Sequence, residues 1–272
     1  MKLHPFKLFV VLFAAVTGPV LSQAQPPSPG GDPDNGAVVF NLKLFVEGYY
    51  SGPGTMVPAL FNNNVAGATN TMVDTVTVEL HAPTGGLATV ATAKGILLTN
   101  GSLPAITVTN GITAGNSYYV VVKHRNSVAV WSASPVVISA GITYDFSTAV
   151  NKAYGNNMKQ SGSVCILYSG DVNRDGYVDA QDVGDTDNDN ANFGSGILGT
   201  DVNGDGFVDA QDVGMTDNNN AGFVSVAYPS GYAGTGRVRQ PQPGKKRPAL
   251  RVAKAAHHST PAYYTNLITN KP

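Results

Sequence analysis

A single cysteine, Cys165, in a chain of 272 residues excludes any internal disulfide, so stability in an oxidising compartment has to come from elsewhere. Set beside Ile166 and Leu167, the thiol reads as a buried apolar group rather than a nucleophile. Charge is scarce as well. Charged residues make up 13% of the chain against 42% hydrophobic, with a formal net charge of -1, which excludes a wholly disordered polymer and suits one or two globular domains. Beyond the N-terminal segment there is no second long apolar run, so no transmembrane segment is expected in the mature chain. Long helical periodicity is missing too, and 31 glycines with 17 prolines favour strands and turns.

The acids are unevenly placed. None follows Asp217, twelve of the 18 lie from Asp171 to Asp217, and eight of the 17 Lys and Arg lie from Arg237 onward. An acidic module is therefore followed by a basic tail.

The opening "MKLHPFKLFVVLFAAVTGPVLSQAQ" sets Lys2 and Lys7 before an apolar run from Leu8 to Val16 and then reaches Ser22-Gln23-Ala24. This is the layout of a secretory signal peptide cut after Ala24, and Gly18 and Pro19 interrupt a run already short for a membrane anchor. The expected location is secreted, extracellular or at the cell surface.

The expected organisation is a signal peptide at 1–24, a Pro/Gly-rich leader at 25–36, a β-sandwich at 37–150, a linker at 151–165, a tandem calcium-binding repeat at 166–228 and a basic tail at 229–272. In the sandwich segment Leu42, Leu44 and Val46 alternate with Lys43, Phe45 and Glu47. Val76, Val78 and Leu80 alternate in the same way with Thr77, Glu79 and His81. Further strand candidates are Ala88 to Leu98, Ala105 to Thr109, Ser117 to His124, Val128 to Ala133, Pro135 to Ser139 and Ile142 to Phe146. Short strands at this spacing predict a mainly β fold, an antiparallel β-sandwich of Ig-like or prealbumin-like type.

No H-E-x-x-H or G-x-S-x-G pattern occurs among the mid-chain candidates His81, His124, Glu47, Glu79, Asp74 and Asp145. The sandwich therefore reads as non-catalytic, with His81 and His124 at solvent-facing strand ends, and a carbohydrate-binding or enzymatic sandwich stands as the alternative. Tyr49, Tyr50, Tyr118, Tyr119 and Trp131 suit either a platform for a glycan or protein partner, or ordinary core packing, the commoner fate of such rings.

The informative stretch is "GDVNRDGYVDAQDVGDTDNDNANF", where seven aspartates accompany one cation, Arg174. Numbered from Asp171, oxygen donors recur at positions 1 (Asp171), 3 (Asn173), 5 (Asp175), 7 (Tyr177, through its carbonyl), 9 (Asp179) and 12 (Asp182), and Gly176 stands at position 6 where the chain must turn sharply. Thirty residues on, Asp201, Asn203, Asp205, Gly206, Phe207, Asp209 and Asp212 repeat every role. An oxygen-only, negatively charged shell suits a hard divalent cation, so the expected cofactor is Ca²⁺, one ion in each loop.

"DVNRDGYVDAQD" and "DVNGDGFVDAQD" resemble type I dockerin repeats over about Ile166 to Val226. That resemblance implies an EF-hand-like loop followed by a helix in each half, with the ligands at the positions named and Asp at position 12. It also implies a cohesin-like or other surface protein as partner and an accessory role in polysaccharide catabolism. The stretches "SYYVVVKHRNSVAVWSASPV" and "AYGNNMKQ" also resemble non-catalytic regions that precede such repeats in bacterial exported proteins. After the loops, "VGDTDNDNANF" and "VGMTDNNNAGF" replace the Leu and basic residues usual there, and Gly184, Gly214 and many Asn and Asp predict short helices, Asp179 to Asp187 and Asp209 to Asn218. Asp185, Asp187 and Asp217 are candidates for supporting the site or for plain exposure. Val178, Val208, Ile166, Leu167, Phe193, Ile197, Leu198, Phe223 and Val226 are expected to form a small shared core.

The tail, with "KKRP" and His257-His258, suits either adhesion to an anionic surface or a solvated extension. Export leaves no specific nucleic-acid partner.

Overall fold

The computed structural model describes residues 37–234. The expected signal peptide with its cleavage at Ala24, the leader, and the tail from 235 onward lie outside the described residues.

In chain order the elements are β1 (Val38–Lys43), β2 (Tyr50–Gly52), β3 (Thr55–Met56), α1 (Ala59–Asn62), β4 (Met72–His81), β5 (Thr89–Leu98), β6 (Ser102–Val108), β7 (Ser117–Lys123), β8 (Val130–Trp131), β9 (Val136–Val137), β10 (Thr143–Asp145), β11 (Lys159–Ser161), β12 (Val164–Ile166), α2 (Ala180–Ala191) and α3 (Ala210–Ala221). The fold is mainly β, built on antiparallel sheets. A five-stranded sheet runs β5-β4-β7-β8, with β9 also on β7, and a three-stranded sheet runs β10-β1-β6. One pair departs from the antiparallel rule: β1 and β10 run parallel, Asn41 opposite Thr143.

The alternation read in the sequence places the core. Phe40 and Leu42 of β1, Leu103 and Ile106 of β6, Val76, Val78 and Leu80 of β4, and Val120 and Val122 of β7 form one apolar cluster, where burial of each large side chain contributes about 1.5–3 kcal/mol. The sheets approach closely at Gly95 of β5. A Cβ there would lie 2.5 Å from Ile106 Cδ1 and 2.8 Å from Leu103 Cδ1, so glycine sets the local spacing. Strand β6 begins earlier than Ala105 because Pro104 and Ala105 form a bulge opposite Asn41, whose Oδ1 accepts from the Ala105 amide at 3.0 Å. Alternation fails after Lys43: β1 ends there, and Leu44, Phe45 and Val46 are all buried as the chain curls into the core.

Several expectations need correction. Residues 151–165, expected as a linker, carry two 3-10 turns and most of the β11–β12 hairpin, with Cys165 buried in the sandwich core. Both helices after the acidic loops run twelve residues, longer than expected, because each begins on a reciprocal cap: Asp179 with Asp182, and Asp209 with Asp212. His81 and His124 are buried at 1% and 4% exposure rather than solvent-facing. Each is held by polar neighbours, His81 by the Leu87 carbonyl and Glu79, His124 by Ser127.

The small shared core is corrected too. Val178 and Val226 pack with Val224 against Val121, Val128 and Trp131 of the sandwich. Ile166 and Leu167 belong to the sandwich core, while Phe193 and Phe223 are exposed at 89% and 73%. The repeat has too little apolar surface to close on itself, so it closes on the outer face of β7 and β8.

Candidate metal centre

The two acidic loops share most of their hydrogen bonds. In the first, the amides of Val172 and Asn173 donate to Asp182 Oδ1 at 3.0 and 3.2 Å, and Asp179 N donates to Asp182 Oδ2 at 2.9 Å. In the second, Val202, Asn203 and Asp209 donate to Asp212 in the same way at 2.8, 3.0 and 2.9 Å. The position-12 carboxylate therefore ties the start of each loop to the start of its helix. Asn173 and Asn203 accept from the amides of Asp175 and Asp205 at 2.8 Å in both loops. The position-5 carboxylates accept from Tyr177 N and Phe207 N at 3.0 and 2.9 Å, and Asp179 and Asp209 cap their helices through Gln181 N and Gln211 N. At position 6 both glycines have φ +93°, and a Cβ would lie 3.0 Å from Tyr228 Oη at Gly176 and 2.6 Å from Asn63 Oδ1 at Gly206. The sharp turn and the close approach both require glycine.

Each loop is stitched to the segment that follows the other repeat's helix. Val178 N donates to Val224 O and Val226 N to Gly176 O, at 2.9 and 2.8 Å; Val208 N donates to Gly194 O and Gly196 N to Gly206 O, both at 2.8 Å. The 30-residue repeat seen in the sequence thus becomes an approximate two-fold exchange, with the ladder engaging the residues on either side of Tyr177 and Phe207.

The loops differ where they meet the sandwich. Arg125, from the turn after β7, places Nε 2.7 Å from Asp74 Oδ2 and Nη2 2.6 Å from Tyr49 Oη, and it bonds the Leu198 carbonyl. Its Nη2 also lies 3.9 Å from Asp201 Oδ2, and Asn126 Nδ2 donates to the Asp201 carbonyl at 2.8 Å. Burial works to raise the Asp74 carboxyl, but His124, 3.1 Å away, and Arg125 hold it well below the usual carboxylate range. On the other side of the repeat, Asn219 of α3 donates to Glu47 Oε2 at 2.7 Å and to the Ser169 carbonyl at 2.9 Å, and Lys159 also pairs with Glu47. None of these anchoring residues belonged to the predicted site. The polar "HRNS" turn between two apolar strands was the local signal for Arg125 and Asn126, while Glu47, Asp74 and Tyr49 stood out only as mid-chain acids and an aromatic.

Burial, with the charges of Asp182 and Asp175 adding to it, pushes Asp171 up to about 7. Burial likewise lifts Asp201 to about 6, with Arg125 offsetting part of the rise. Asp182 and Asp212 are raised by burial despite their three amide donors each. Asp171 Oδ1 is buried with no hydrogen-bond partner, whereas Asp201 Oδ1 accepts from Gly204 N at 2.8 Å. Among the described residues, no three His, Cys, Asp or Glu side chains come together as a ready-made metal cluster. The candidate donor set from the sequence is mixed, combining carboxylates with the amide oxygens of Asn173 or Asn203 and backbone carbonyls. A buried carboxylate oxygen without a partner, surrounded by like charges, fits a hard cation.

Other sequence candidates fall outside the centre. Asp217 meets Asn220 Nδ2 at 3.4 Å, and Asp189, which the sequence reading did not single out, accepts from Thr200 Oγ1 at 2.5 Å. Trp131 and Tyr118 are buried, so they line walls rather than forming an open platform.

The described chain is thus a mainly β protein with antiparallel sheets and a tandem loop-helix repeat mounted on one face. No family model matches it, and no curated protein matches it. Among solved structures, it is similar to an N-terminal interface mutant of a type II cohesin-X-dockerin complex from Acetivibrio cellulolyticus, with TM-score 0.40 and 15% identity over 67% of this chain and 94% of that chain. A C-terminal interface mutant of the same type of complex, from the same organism, gives TM-score 0.39 and 14% identity over the same shares. A likeness of this size says nothing about what this chain binds. Among the described residues no helix is long and apolar enough to cross a membrane.

Proposed function

We propose that the chain is an exported, non-catalytic calcium-binding protein, a β-sandwich interaction module at 37–150 with a repeat at 166–228 that two Ca²⁺ ions stabilise. The ligands are Asp171, Asn173, Asp175, Tyr177, Asp179 and Asp182 in one loop and Asp201, Asn203, Asp205, Phe207, Asp209 and Asp212 in the other. The observation that carries this reading is the buried, unpartnered Oδ1 of Asp171, in a loop whose backbone amides donate to the same positions as in the second loop. An ion in each loop supplies the positive charge that the acids lack. Since calcium is plentiful outside cells, loops of moderate affinity stay filled there, and the Ser22-Gln23-Ala24 pattern supports export.

The test is calorimetric titration of the metal-stripped chain with Ca²⁺ and Mg²⁺, alongside thermal melts. Two calcium sites and a calcium-dependent rise in Tm are expected, with the rise abolished by Asp175→Ala combined with Asp205→Ala. No heat and an unchanged melt in millimolar calcium overturn the reading.

The twelve-residue length of α2 and α3 favours a second reading, a dockerin that attaches a polysaccharide-degradation component to a cohesin scaffold. Calcium-dependent retention on immobilised cohesins tests it, and no retention on a panel of types excludes it.

A further inference from the structure

Between the turn after β7 and the first acidic loop lies a cavity of about 490 Å³, lined by Lys123, Trp131, Asp171, Arg174, Tyr228 and Tyr232 among others. Its rings are organised. Trp131 forms the back wall, with centroid distances of 4.9 Å to Tyr232 and 4.4 Å to His81, and Tyr228 and Tyr232 stack at 4.8 Å with their planes 7° apart. The segment carrying the two tyrosines is pinned by Ser230 N to Tyr154 Oη at 3.2 Å and by Ala233 N to Gly86 O at 3.1 Å.

The cations in this cavity are not equivalent. Lys123 is neutralised by Glu79 at 2.7 Å, whereas exposed Arg174 makes no ion pair among the described residues. Arg174 also holds a left-handed backbone, φ +63°, at the loop position where the second repeat has Gly204 at φ +76°. A long cationic side chain kept in a conformation that glycine adopts freely, and facing a ring-lined cavity, points to a ligand. Beside it, Asp171 also lines the cavity, and its buried Oδ1 has no hydrogen-bond partner.

We propose that this cavity binds a carboxylate-bearing sugar residue, with the sugar's C–H face against the outer side of the Tyr228–Tyr232 stack and its carboxylate on the Arg174 guanidinium. Arg suits a planar carboxylate because its fork donates two parallel hydrogen bonds. The inference rests on the calcium reading, since Asp171 and Asp175 repel a carboxylate unless an ion neutralises them.

Trp131 is the one tryptophan of the chain, so its fluorescence reports the cavity directly. The full chain in saturating calcium is titrated with a glucuronic-acid-bearing xylo-oligosaccharide and with its neutral counterpart, by fluorescence and calorimetry. Saturable binding of the acidic sugar is expected, weakened about tenfold or more in the neutral sugar and in Arg174→Gly, the loss of one charge-assisted contact. Arg174→Gly keeps a backbone that the second repeat already uses, so its folding is secure. Equal affinity for the two sugars, unchanged binding by Arg174→Gly, or binding that survives chelation unchanged overturns the proposal. A calcium titration of the same sample separates the two failures: calcium heat without sugar binding defeats this inference alone, and absent calcium heat defeats the reading beneath it.

Discussion

Gly204 is one place where the second loop packs tightly on the sandwich, and Gly204→Ala tests that contact against an internal control. Position 4 is left-handed in both loops, yet the first carries Arg174 there. The backbone strain of an L-residue, about 1–2 kcal/mol, is therefore already tolerated in one repeat. What differs is space. A Cβ on Gly204 would lie 2.5 Å from Tyr49 Cε1, 2.7 Å from Cδ1 and 3.0 Å from the Ala59 Cβ, against about 3.5–4.0 Å for comfortable carbon contact. Tyr49 cannot swing aside, because it is fully buried and its hydroxyl is held by Arg125 at 2.6 Å and Asp74 at 3.1 Å. Adding about 1–3 kcal/mol for overpacking to the strain gives a loss of roughly 2–5 kcal/mol, or a fall in Tm of about 10 °C for a chain of this size. Arg174→Gly, with no such obstacle, should change stability by about 1 kcal/mol or less. Differential scanning calorimetry in saturating calcium keeps metal occupancy constant. If Gly204→Ala melts within a degree or two of the parent, or Arg174→Gly falls as far, the repeat is not fastened to the sandwich at this point.

Arg125→Met should lower stability by about 3–5 kcal/mol in urea titrations, since Asp74 and Asp201 lose their shared cation, and Asp74→Asn in the same background should recover part of the loss. Asn219→Ala removes the bonds to Glu47 and Ser169 and should cost about 1–3 kcal/mol by the same measurement. In chelator, Tm should rise as pH falls from 8 to 5. Asp171 and Asp201, raised to about 7 and about 6, bind protons in the folded chain before the unfolded chain does, each contributing about 1.4 kcal/mol per pH unit over its window. Below about pH 4 the trend should reverse, as Asp74, held low in the fold, becomes protonated and its contribution is lost. A metal-free Tm that is flat or climbs from pH 5 to 8 would refute the assignment of uncompensated acids.

The acidic loops were legible because their interactions are local: the bonds from Val172 and Asn173 to Asp182, like the helix caps, close within ten residues, and period-two donors with a glycine at the turn mark them directly. The strands were legible through alternation, best in β4, and least at β6, where the Pro104–Ala105 bulge breaks the period. Helix length was underestimated because Gly184 and Gly214 weigh against a helix by propensity, while the reciprocal aspartate caps and packing outweigh them.

By itself the sequence determined the mainly β character and the 30-residue spacing of the two loops, and it supplied the twelve donor positions on which the proposal rests, all of which depend on short-range periodicity. Only the tertiary structure decided that Arg125, Asn126, Tyr49 and Asp74 secure the second loop, that Glu47 and Asn219 secure α3, and that His81 and His124 are buried. Partners such as Asn219 and Glu47 stand 172 residues apart, and nothing in the local pattern around either residue encodes the other. The repeat's own apolar residues are too few to close a core, so the exposed face of β7 and β8 decides where it sits, and that face exists only after the sandwich has folded.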